Sequence, residues 1–231
     1  MATIYLIRHG QASASQVNYD KLSELGVAQA KTLAPYLSDK LGKPDRIERG
    51  TLKRHKQTAH YAADHFDVEP CSQRGWNEYD YQAILAAYEP SLTDPDAIKR
   101  YFVKNQLPKS HFRTLFLNAM DKWINTKERD PAYPETWSEF TERVLSSFQQ
   151  LTNDLEGKSA LVFTSGGPIS LVSCHLLGLP LESFMQINWN LVNGGISKVL
   201  LNSNTKATTL SSLNEHSLFE QVDNRHLLTY T

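Results

Sequence analysis

The sequence predicts an α/β fold, namely a three-layer α/β/α sandwich with a mixed, mostly parallel sheet and a helical insertion. Three observations predict it. Apolar runs of strand length alternate with helical apolar stripes early and late in the chain. Short strand-like runs separated by Asn- and Ser-rich turns follow near the C-terminus. Residues 81–134 contain five prolines between helical stretches. We therefore expect one domain, 1–231, with a helical cover inserted at about 81–134.

The individual elements follow from local composition and from residues that start or stop them. Predicted strands occupy residues 3–7, 46–48, 159–164, 185–189, 195–201 and 207–213. Predicted helices of the same domain occupy residues 23–41, 51–66, 136–155 and 169–177. Ser23 is a good N-cap for the first helix, and Gly42 followed by Pro44 ends it.

Charge and cysteine content exclude several classes of protein. The formal net charge is −1, from 24 basic and 25 acidic residues, so no global field attracts nucleic acid or an anionic membrane. An anion site must therefore come from a local cluster of positive charge. The two cysteines, Cys71 and Cys174, are far apart, and we expect two free thiols rather than a disulfide framework or a cysteine zinc site.

The apolar segments are short. The run at residues 1–7 has no basic residue on its N-terminal side and is too short for a signal peptide. No apolar stretch approaches the roughly 20 residues that span a bilayer. The expectation is a soluble, cytoplasmic protein with no membrane partner.

Two loops that follow apolar strands are the candidates for chemistry. The first is Arg8-His9-Gly10-Gln11, and the second runs from Thr164 to Pro168. In open α/β sheets, ligands bind beyond the carboxyl ends of the strands. Glycine allows close approach of the backbone, and a following helix N-terminus favours an anion. The two loops are therefore expected to face each other around an anionic ligand.

Arg8 changes the interpretation of His9. A single histidine after a strand is more often structural than catalytic. A guanidinium at the end of a buried strand is costly unless it meets an anion. The neighbouring cation also favours the neutral, nucleophilic form of the histidine.

Several segments, in the order in which they occur, resemble the histidine phosphatase superfamily, which includes phosphoglycerate mutases. The matching segments are 4–10 (IYLIRHG), 22–26 (LSELG) with 29–30 (QA), 51–59 (TLKRHKQTA), 76–78 (WNE), and 135–136 (ET) with Arg143. The match extends across 4–80 and 135–200, whereas 81–134 corresponds to no family motif.

The resemblance implies a set of catalytic roles. His9 would attack phosphorus and form a phosphohistidine, while Arg8 and Arg54 would bind the non-bridging oxygens. Glu78 would protonate the leaving oxygen and later help to activate water. Asp80 competes for the role of Glu78.

Other site residues are implied less directly. Asn18 matches a position where some members contact phosphate, and Gln11 is a plausible residue at the rim. The spacing of His55, His60 and His65 does not place them on one helical face for a metal. We interpret these three histidines as surface or packing residues.

One position departs from the family pattern. The family carries a second histidine in a Ser/Thr-His-Gly-Gly motif, and Ser165 takes its place before Gly166 in this sequence. Loss of an oxyanion donor typically costs about 10²–10³ in rate. Either Ser165 is a weaker donor, or another residue fills the gap, or turnover is lost. The candidates for filling the gap are His111, His175 and His216.

The resemblance favours a phosphatase that hydrolyses a small phosphomonoester. A phosphoglycerate-mutase-type phosphotransferase and a catalytically impaired phosphate-binding regulatory protein are the alternatives. No metal or organic cofactor is implied, because two arginines supply the positive charge. The expected partner is a small phosphorylated substrate or inorganic phosphate, not nucleic acid, and the oligomeric state is left open.

Overall fold

The structure is a computed structural model that describes residues 1–13, 20–108, 110–127, 129–155, 158–180, 182–202 and 204–230. The chain forms two compact units. The main unit comprises Met1–Glu78 with Arg143–Thr231, and the second unit comprises Tyr79–Glu142. Within the described residues, no helix combines the length and apolar character needed to cross a membrane.

A mixed sheet of six strands forms the centre of the main unit. The strands are β1 Ala2–Arg8, β2 Arg46–Arg49, β3 Cys71–Ser72, β4 Ser159–Thr164, β5 Ile196–Leu201 and β6 Thr208–Glu215. Their order is β3-β2-β4-β1-β5-β6. The pairs β2–β3, β2–β4 and β1–β4 are parallel, whereas β1–β5 and β5–β6 are antiparallel. The predicted mixed, mostly parallel sheet is confirmed.

The helices are α1 Glu24–Leu41, α2 Lys53–Ala63, α3 Tyr81–Tyr88, α4 Pro95–Lys104, α5 His111–Asn125, α6 Trp137–Asp154, α7 Gly166–Leu177, α8 Glu182–Asn190 and α9 Ser217–Glu220. Short 3₁₀ turns lie at Asp64–Phe66, Arg74–Trp76 and Arg225–Leu227. Ser23 caps α1 as predicted, because its hydroxyl accepts from the Gly26 N–H at 3.0 Å.

Helices cover both faces of the sheet. Leu33 and Leu37 of α1 and Ala59 of α2 are buried against Ile7 and Phe163 on one face. Side chains alternate along a strand, so residues 4 and 6 of β1 face the other side, where α7 contacts β1 and β6. Each fully buried leucine or phenylalanine contributes about 1.5–3 kcal/mol. This packing fixes the carboxyl edge of the sheet, from which the site is built.

Two predicted elements differ from the structure. The strand predicted at 185–189 is wrong, since these residues belong to helix α8, with Phe184 and Met185 buried. Short apolar runs do not separate strand from helix by periodicity. Helix α7 begins at Gly166, three residues before the predicted start, because Pro168 lies in the first turn, where no backbone N–H is needed.

The second unit contains α3, α4 and α5 and has an aromatic core of its own. The ring of Trp123 lies 5.4 Å from that of Tyr79 and 5.2 Å from that of Trp137, measured between centroids. The indole N–H of Trp123 donates to the carbonyl of Glu135 at 2.9 Å. This bond satisfies the polar end of a buried tryptophan.

Candidate active site

The loops that follow β1 and β4 lie side by side. The parallel register pairs Arg8 with Thr164, so His9 and Ser165 are the next residues along the two strands. The backbone N–H of His9 donates to the carbonyl oxygen of Thr164 at 2.9 Å. The structure therefore brings together the two loops that the sequence predicts at one edge of the sheet.

His9 presents its Nε2 atom as an acceptor. Its Nδ1 lies 2.7 Å from the carbonyl oxygen of Gly10, and because a carbonyl only accepts, Nδ1 carries the proton. Nε2 therefore keeps its lone pair, to which Nε of Arg54 donates at 3.1 Å. Burial lowers the pKa of His9 well below its usual range, and the charge of Arg54 adds to this effect. The ring is neutral at physiological pH, as a nucleophilic histidine must be.

Arg54 is placed by the first turn of α2 and is shared between two partners. Its side chain is 11% exposed, and its NH1 atom lies 3.0 Å from a carboxylate oxygen of Asp20. The other oxygen of Asp20 accepts from the backbone N–H of Lys53 at 2.9 Å. The Asp20 carboxylate thus accepts hydrogen bonds both from the N-terminus of α2 and from the guanidinium of Arg54. Asp20 is not predicted from the sequence, since nothing in the local pattern of residues marks it as part of a site.

Arg8 is oriented by carbonyl groups. Its NH1 atom donates to the carbonyl oxygens of Leu191 and of Tyr230, the latter at 3.0 Å. The carbonyl of Arg8 itself accepts from the N–H of Gly194 at 3.0 Å. These contacts hold the guanidinium close enough to His9 to contribute to the lowered pKa of the imidazole. The site therefore contains two fixed cations beside one neutral imidazole.

Glu78 reaches the same edge from the chain that follows the Arg74–Trp76 turn. Its carboxylate accepts from the backbone N–H of Gly167 at 3.1 Å, in the first turn of α7. Arg143 fixes the preceding main chain by donating to the carbonyls of Asn77 at 2.8 Å and of Gly75 at 3.0 Å. This arrangement places a carboxyl group at the helix N-terminus beside Ser165.

Ser165 is completely buried and contacts a histidine from α2. The hydroxyl of Ser165 lies 2.6 Å from Nε2 of His55. His55 is also completely buried, and its ring centroid lies 5.6 Å from that of His9. Burial lowers the pKa of His55 well below its usual range, with Arg54 and Arg49 as further causes. A second neutral histidine therefore adjoins the candidate nucleophile.

The family comparison agrees with this geometry. A model of the histidine phosphatase superfamily (branch 1) matches residues 4–101 and 105–215. The match includes nearly all of residues 81–134, so the expectation that this segment lies outside the family pattern is wrong. The chain belongs to the histidine phosphatase superfamily. The resemblance of the early motifs to this superfamily is thereby confirmed.

Solved structures of the superfamily share the fold. A phosphoserine phosphatase mutant from Entamoeba histolytica, solved with phosphoserine, is 19% identical with a TM-score of 0.63, over 93% of this chain and 97% of that one. The alpha-ribazole phosphatase from Shigella flexneri is 21% identical with a TM-score of 0.64, over 92% and 96%. A mycobacterial glucosyl-3-phosphoglycerate phosphatase is 17% identical with a TM-score of 0.64, over 93% and 99%. No curated protein matches the sequence.

The sequence predicts surface or packing positions for His55, His60 and His65. His60 and His65 are exposed and His55 is completely buried, but the contact of His55 with Ser165 is not predicted by the sequence. His55 faces inward on α2, where its Nε2 lies beside the hydroxyl of Ser165. The signal that could have found it is its place in the second motif, directly after Arg54.

The three histidines considered as replacements lie elsewhere in the described residues. His111 is exposed at the start of α5, and His175 is exposed in the last turn of α7. His216 bonds to the carbonyl of Asn214 through Nδ1. Its Nε2 lies 3.4 Å from the carboxylate of Glu220. The histidine beside Ser165 is His55, not any of these candidates.

The remaining candidate residues have structural contacts. The backbone N–H of Gln11 donates to the side-chain oxygen of Gln29 at 2.7 Å, and its own side-chain oxygen accepts from Ser23 at 2.9 Å. A side chain at Gly166 would overlap Oδ1 of Asn188, so glycine permits close packing there. Asn18 lies outside the described residues.

A metal centre was not predicted by the sequence. Over the part of the chain that the structure describes, no group of three or more His, Cys, Asp or Glu side chains is placed to hold a metal ion. The positive charge in the described site comes from Arg8 and Arg54, two groups suited to phosphate.

Proposed function

We propose that this protein is a phosphatase that hydrolyses a small phosphomonoester through a phosphohistidine on His9. Membership of the histidine phosphatase superfamily supports the reaction class. The observation that carries the proposal is the state of His9. Nδ1 is held as a donor by Gly10, and Nε2 keeps a lone pair beside Arg54. A structural histidine would not need its free lone pair placed against a guanidinium at a sheet edge.

The first step transfers the phosphoryl group to the protein. Nε2 of His9 attacks phosphorus while the bond from phosphorus to the substrate oxygen breaks. Protonated Glu78 gives its proton to the leaving oxygen, which departs as an alcohol. Arg54 and Arg8 donate to the non-bridging oxygens, so Arg54 exchanges its bond to Nε2 for bonds to phosphate. Nδ1 keeps its proton and its bond to Gly10.

The second step releases phosphate. Water attacks phosphorus, the bond from phosphorus to Nε2 breaks, and the electron pair returns to the imidazole. The Glu78 carboxylate takes a proton from the attacking water and is ready for the next cycle. A positioned acid–base group of this kind typically contributes about 10²–10⁴ in rate.

Phosphatases among the structural neighbours support a phosphatase activity. The neighbours named above are a phosphoserine phosphatase, an alpha-ribazole phosphatase and a glucosyl-3-phosphoglycerate phosphatase. The substrate proposed for this chain is accordingly a small phosphorylated metabolite. Absence of 3-phosphoglycerate isomerisation would separate it from a phosphoglycerate-mutase-type transferase.

The proposal is tested by hydrolysis of p-nitrophenyl phosphate without added metal between pH 5 and 8. His9→Ala is expected to abolish turnover and the acid-labile, alkali-stable 32P label that the wild-type protein acquires. The matched control is His60→Ala, an exposed histidine on α2, which is expected to retain turnover within about twofold, as is usual for surface substitutions.

A folded His9→Ala protein that still turns over would overturn the phosphohistidine route. A wild-type protein that binds inorganic phosphate, yet neither labels nor hydrolyses a panel of phosphomonoesters, would instead favour the phosphate-binding regulatory alternative.

A further inference from the structure

Ser165 lies at the same sheet edge as His9, because the backbone N–H of His9 donates to the carbonyl oxygen of the preceding Thr164. It follows Thr164, whose backbone pairs with Arg8, and it directly precedes the first residue of α7. Among the described residues, the Ser165 hydroxyl is hydrogen-bonded to Nε2 of His55, at 2.6 Å. A serine hydroxyl has one proton, so the direction of that proton decides whether Ser165 can donate to a ligand.

The environment of His55 Nδ1 decides which imidazole nitrogen carries the proton. Within the described part of the chain, Nδ1 is buried and has no hydrogen-bond partner. A Cβ atom built at Gly50 would overlap Nδ1, so an α-hydrogen of Gly50 points at this nitrogen. A C–H group can lie against an unprotonated nitrogen, whose lone pair accepts a weak hydrogen bond from it. It would clash with the hydrogen of an N–H group. Nδ1 is therefore unprotonated, and the neutral ring carries its proton on Nε2.

The hydrogen bonds then run in one direction. Nε2–H of His55 donates to the Ser165 oxygen, and this bond leaves the serine proton for another acceptor. The charge of Arg54 and the N-terminus of α7 favour an anion at this point. Hydrogen bonds in series polarise one another, so donation by His55 strengthens donation by Ser165.

We propose that His55 is a positioning residue that donates to Ser165, so that Ser165 donates its hydroxyl proton to a phosphoryl oxygen held at His9. The pair, which we call the His55–Ser165 relay, would supply from α2 and from the residue after β4 the donor that the superfamily pattern takes from one histidine. This inference rests on the proposed function for its kinetic consequence, although its geometry and phosphate binding can be tested without turnover.

Two variants of similar size separate hydrogen bonding from packing. His55→Gln retains an N–H that can reach Ser165, whereas His55→Leu fills the space without a donor. For p-nitrophenyl phosphate we expect His55→Leu to lower kcat about tenfold with KM changed less than about twofold. His55→Gln is expected to stay within about threefold of wild type. Thermal unfolding of both variants checks that they are folded.

A double-mutant cycle tests whether the two residues act together. Ser165→Ala is expected to lower kcat by about 10². His55→Leu in the Ser165→Ala background is expected to cost less than about twofold, because the relay is already broken. Equal proportional losses in both backgrounds would overturn the relay, since they would indicate an independent packing role.

Two readouts do not depend on turnover. Nitrogen-15 spectra of the wild-type protein are expected to show His55 as the neutral Nε2–H tautomer. Calorimetry with inorganic phosphate is expected to show weaker binding by His55→Leu than by His55→Gln. A Nδ1–H tautomer, or equal phosphate affinity of the two variants, overturns the relay even in an active phosphatase. An inactive wild-type protein with the expected tautomer and affinities supports the relay while contradicting the proposed function.

Discussion

At the residue scale, the guanidinium of Arg54 donates to two side chains, and both compete with phosphate for its N–H groups. Nε donates to His9, and NH1 is paired with the Asp20 carboxylate. A phosphate bound between the arginines must exchange with these partners or share them. The Asp20 side chain is 36% exposed, so its pairing with Arg54 is partly screened by solvent and worth at most about 1 kcal/mol.

Asp20→Asn is therefore expected to tighten phosphate binding. Asparagine can still accept from the Lys53 N–H, but it removes the negative charge beside Arg54. Because an exposed ion pair is worth up to about 1 kcal/mol, we expect the inhibition constant of inorganic phosphate to fall about two- to fivefold. This inhibition constant is measured from competitive inhibition of p-nitrophenyl phosphate hydrolysis by inorganic phosphate. Asp64→Asn, which removes an exposed carboxylate next to His60, is the control, and unchanged or weaker binding by Asp20→Asn would contradict the expectation.

A motif that coincides with a strand end can be located from the sequence. His9 and Ser165 lie at one edge because β1 and β4, which the apolar runs predict, are neighbours in the sheet, whereas Glu78 reaches that edge from the chain after the Arg74–Trp76 turn. The contact of His55 was missed for the opposite reason. Its partner is Ser165, which is 110 residues away, and no local periodicity links two such positions.

At the scale of elements, the first loop of the site is pressed against the start of α1. A side chain at Gly10 would overlap the carbonyl of Gly26, and one at Gly26 would overlap the carbonyl of Gln11. Both obstacles are backbone atoms, which cannot rotate away. Two glycines thus let the loop that carries His9 lie directly on the first turn of the helix.

Gly26→Ala is expected to destabilise the protein. Overpacking against backbone costs about 1–3 kcal/mol, which exceeds the gain of up to about 1 kcal/mol from replacing a helical glycine by alanine. We expect a lower free energy of unfolding in urea and weaker turnover, since the loop after His9 must shift. Asp39→Ala, on the exposed side of α1, is expected to change stability by less than about 0.5 kcal/mol. A stabilised Gly26→Ala protein would show that the loop and helix are not tightly packed.

Element types were predictable where the pattern was long. The 18-residue helix α1 has a capping serine and a clear apolar stripe, and it was predicted correctly. Helix α8 has nine residues, too few for a helical repeat to be distinguished from an apolar strand. The early start of α7 was missed because Gly-Gly-Pro is typical of a loop. The helix packs against α8, β1 and β6, and these contacts are not visible in the local sequence.

At the scale of the whole molecule, two buried neutral histidines link stability to pH. Burial is the main cause of the lowered pKa of both His9 and His55. Each therefore binds its proton more weakly in the folded state than in the unfolded chain, where the pKa is about 6.5. As the pH falls below about 6.5, the unfolded state takes up protons that the folded state does not, so the stability falls.

We expect the free energy of unfolding to decrease from about pH 6.5 downward. The paired carboxylates, such as Glu215 beside Lys40 with its lowered pKa, add a second loss below about pH 4.5. Urea unfolding at half-unit intervals measures both windows. His55→Gln is expected to reduce the slope between pH 6.5 and 5 by removing one of the two groups, whereas His60→Ala is expected to leave it unchanged. A flat profile above pH 5 would contradict the neutral state of both rings.

The contact between His55 and Gly50 also bears on how such a site can arise by evolution. Any side chain at position 50 would occupy the space of the imidazole, so a glycine there must precede or accompany a histidine at position 55. If the His55–Ser165 relay operates as proposed, serine can serve at position 165 only where both of these residues are present. Among related sequences, we expect Gly50, His55 and Ser165 to be inherited as one set. We expect a relative with serine at position 165 but without the other two residues to have lower phosphatase activity than a relative that has all three.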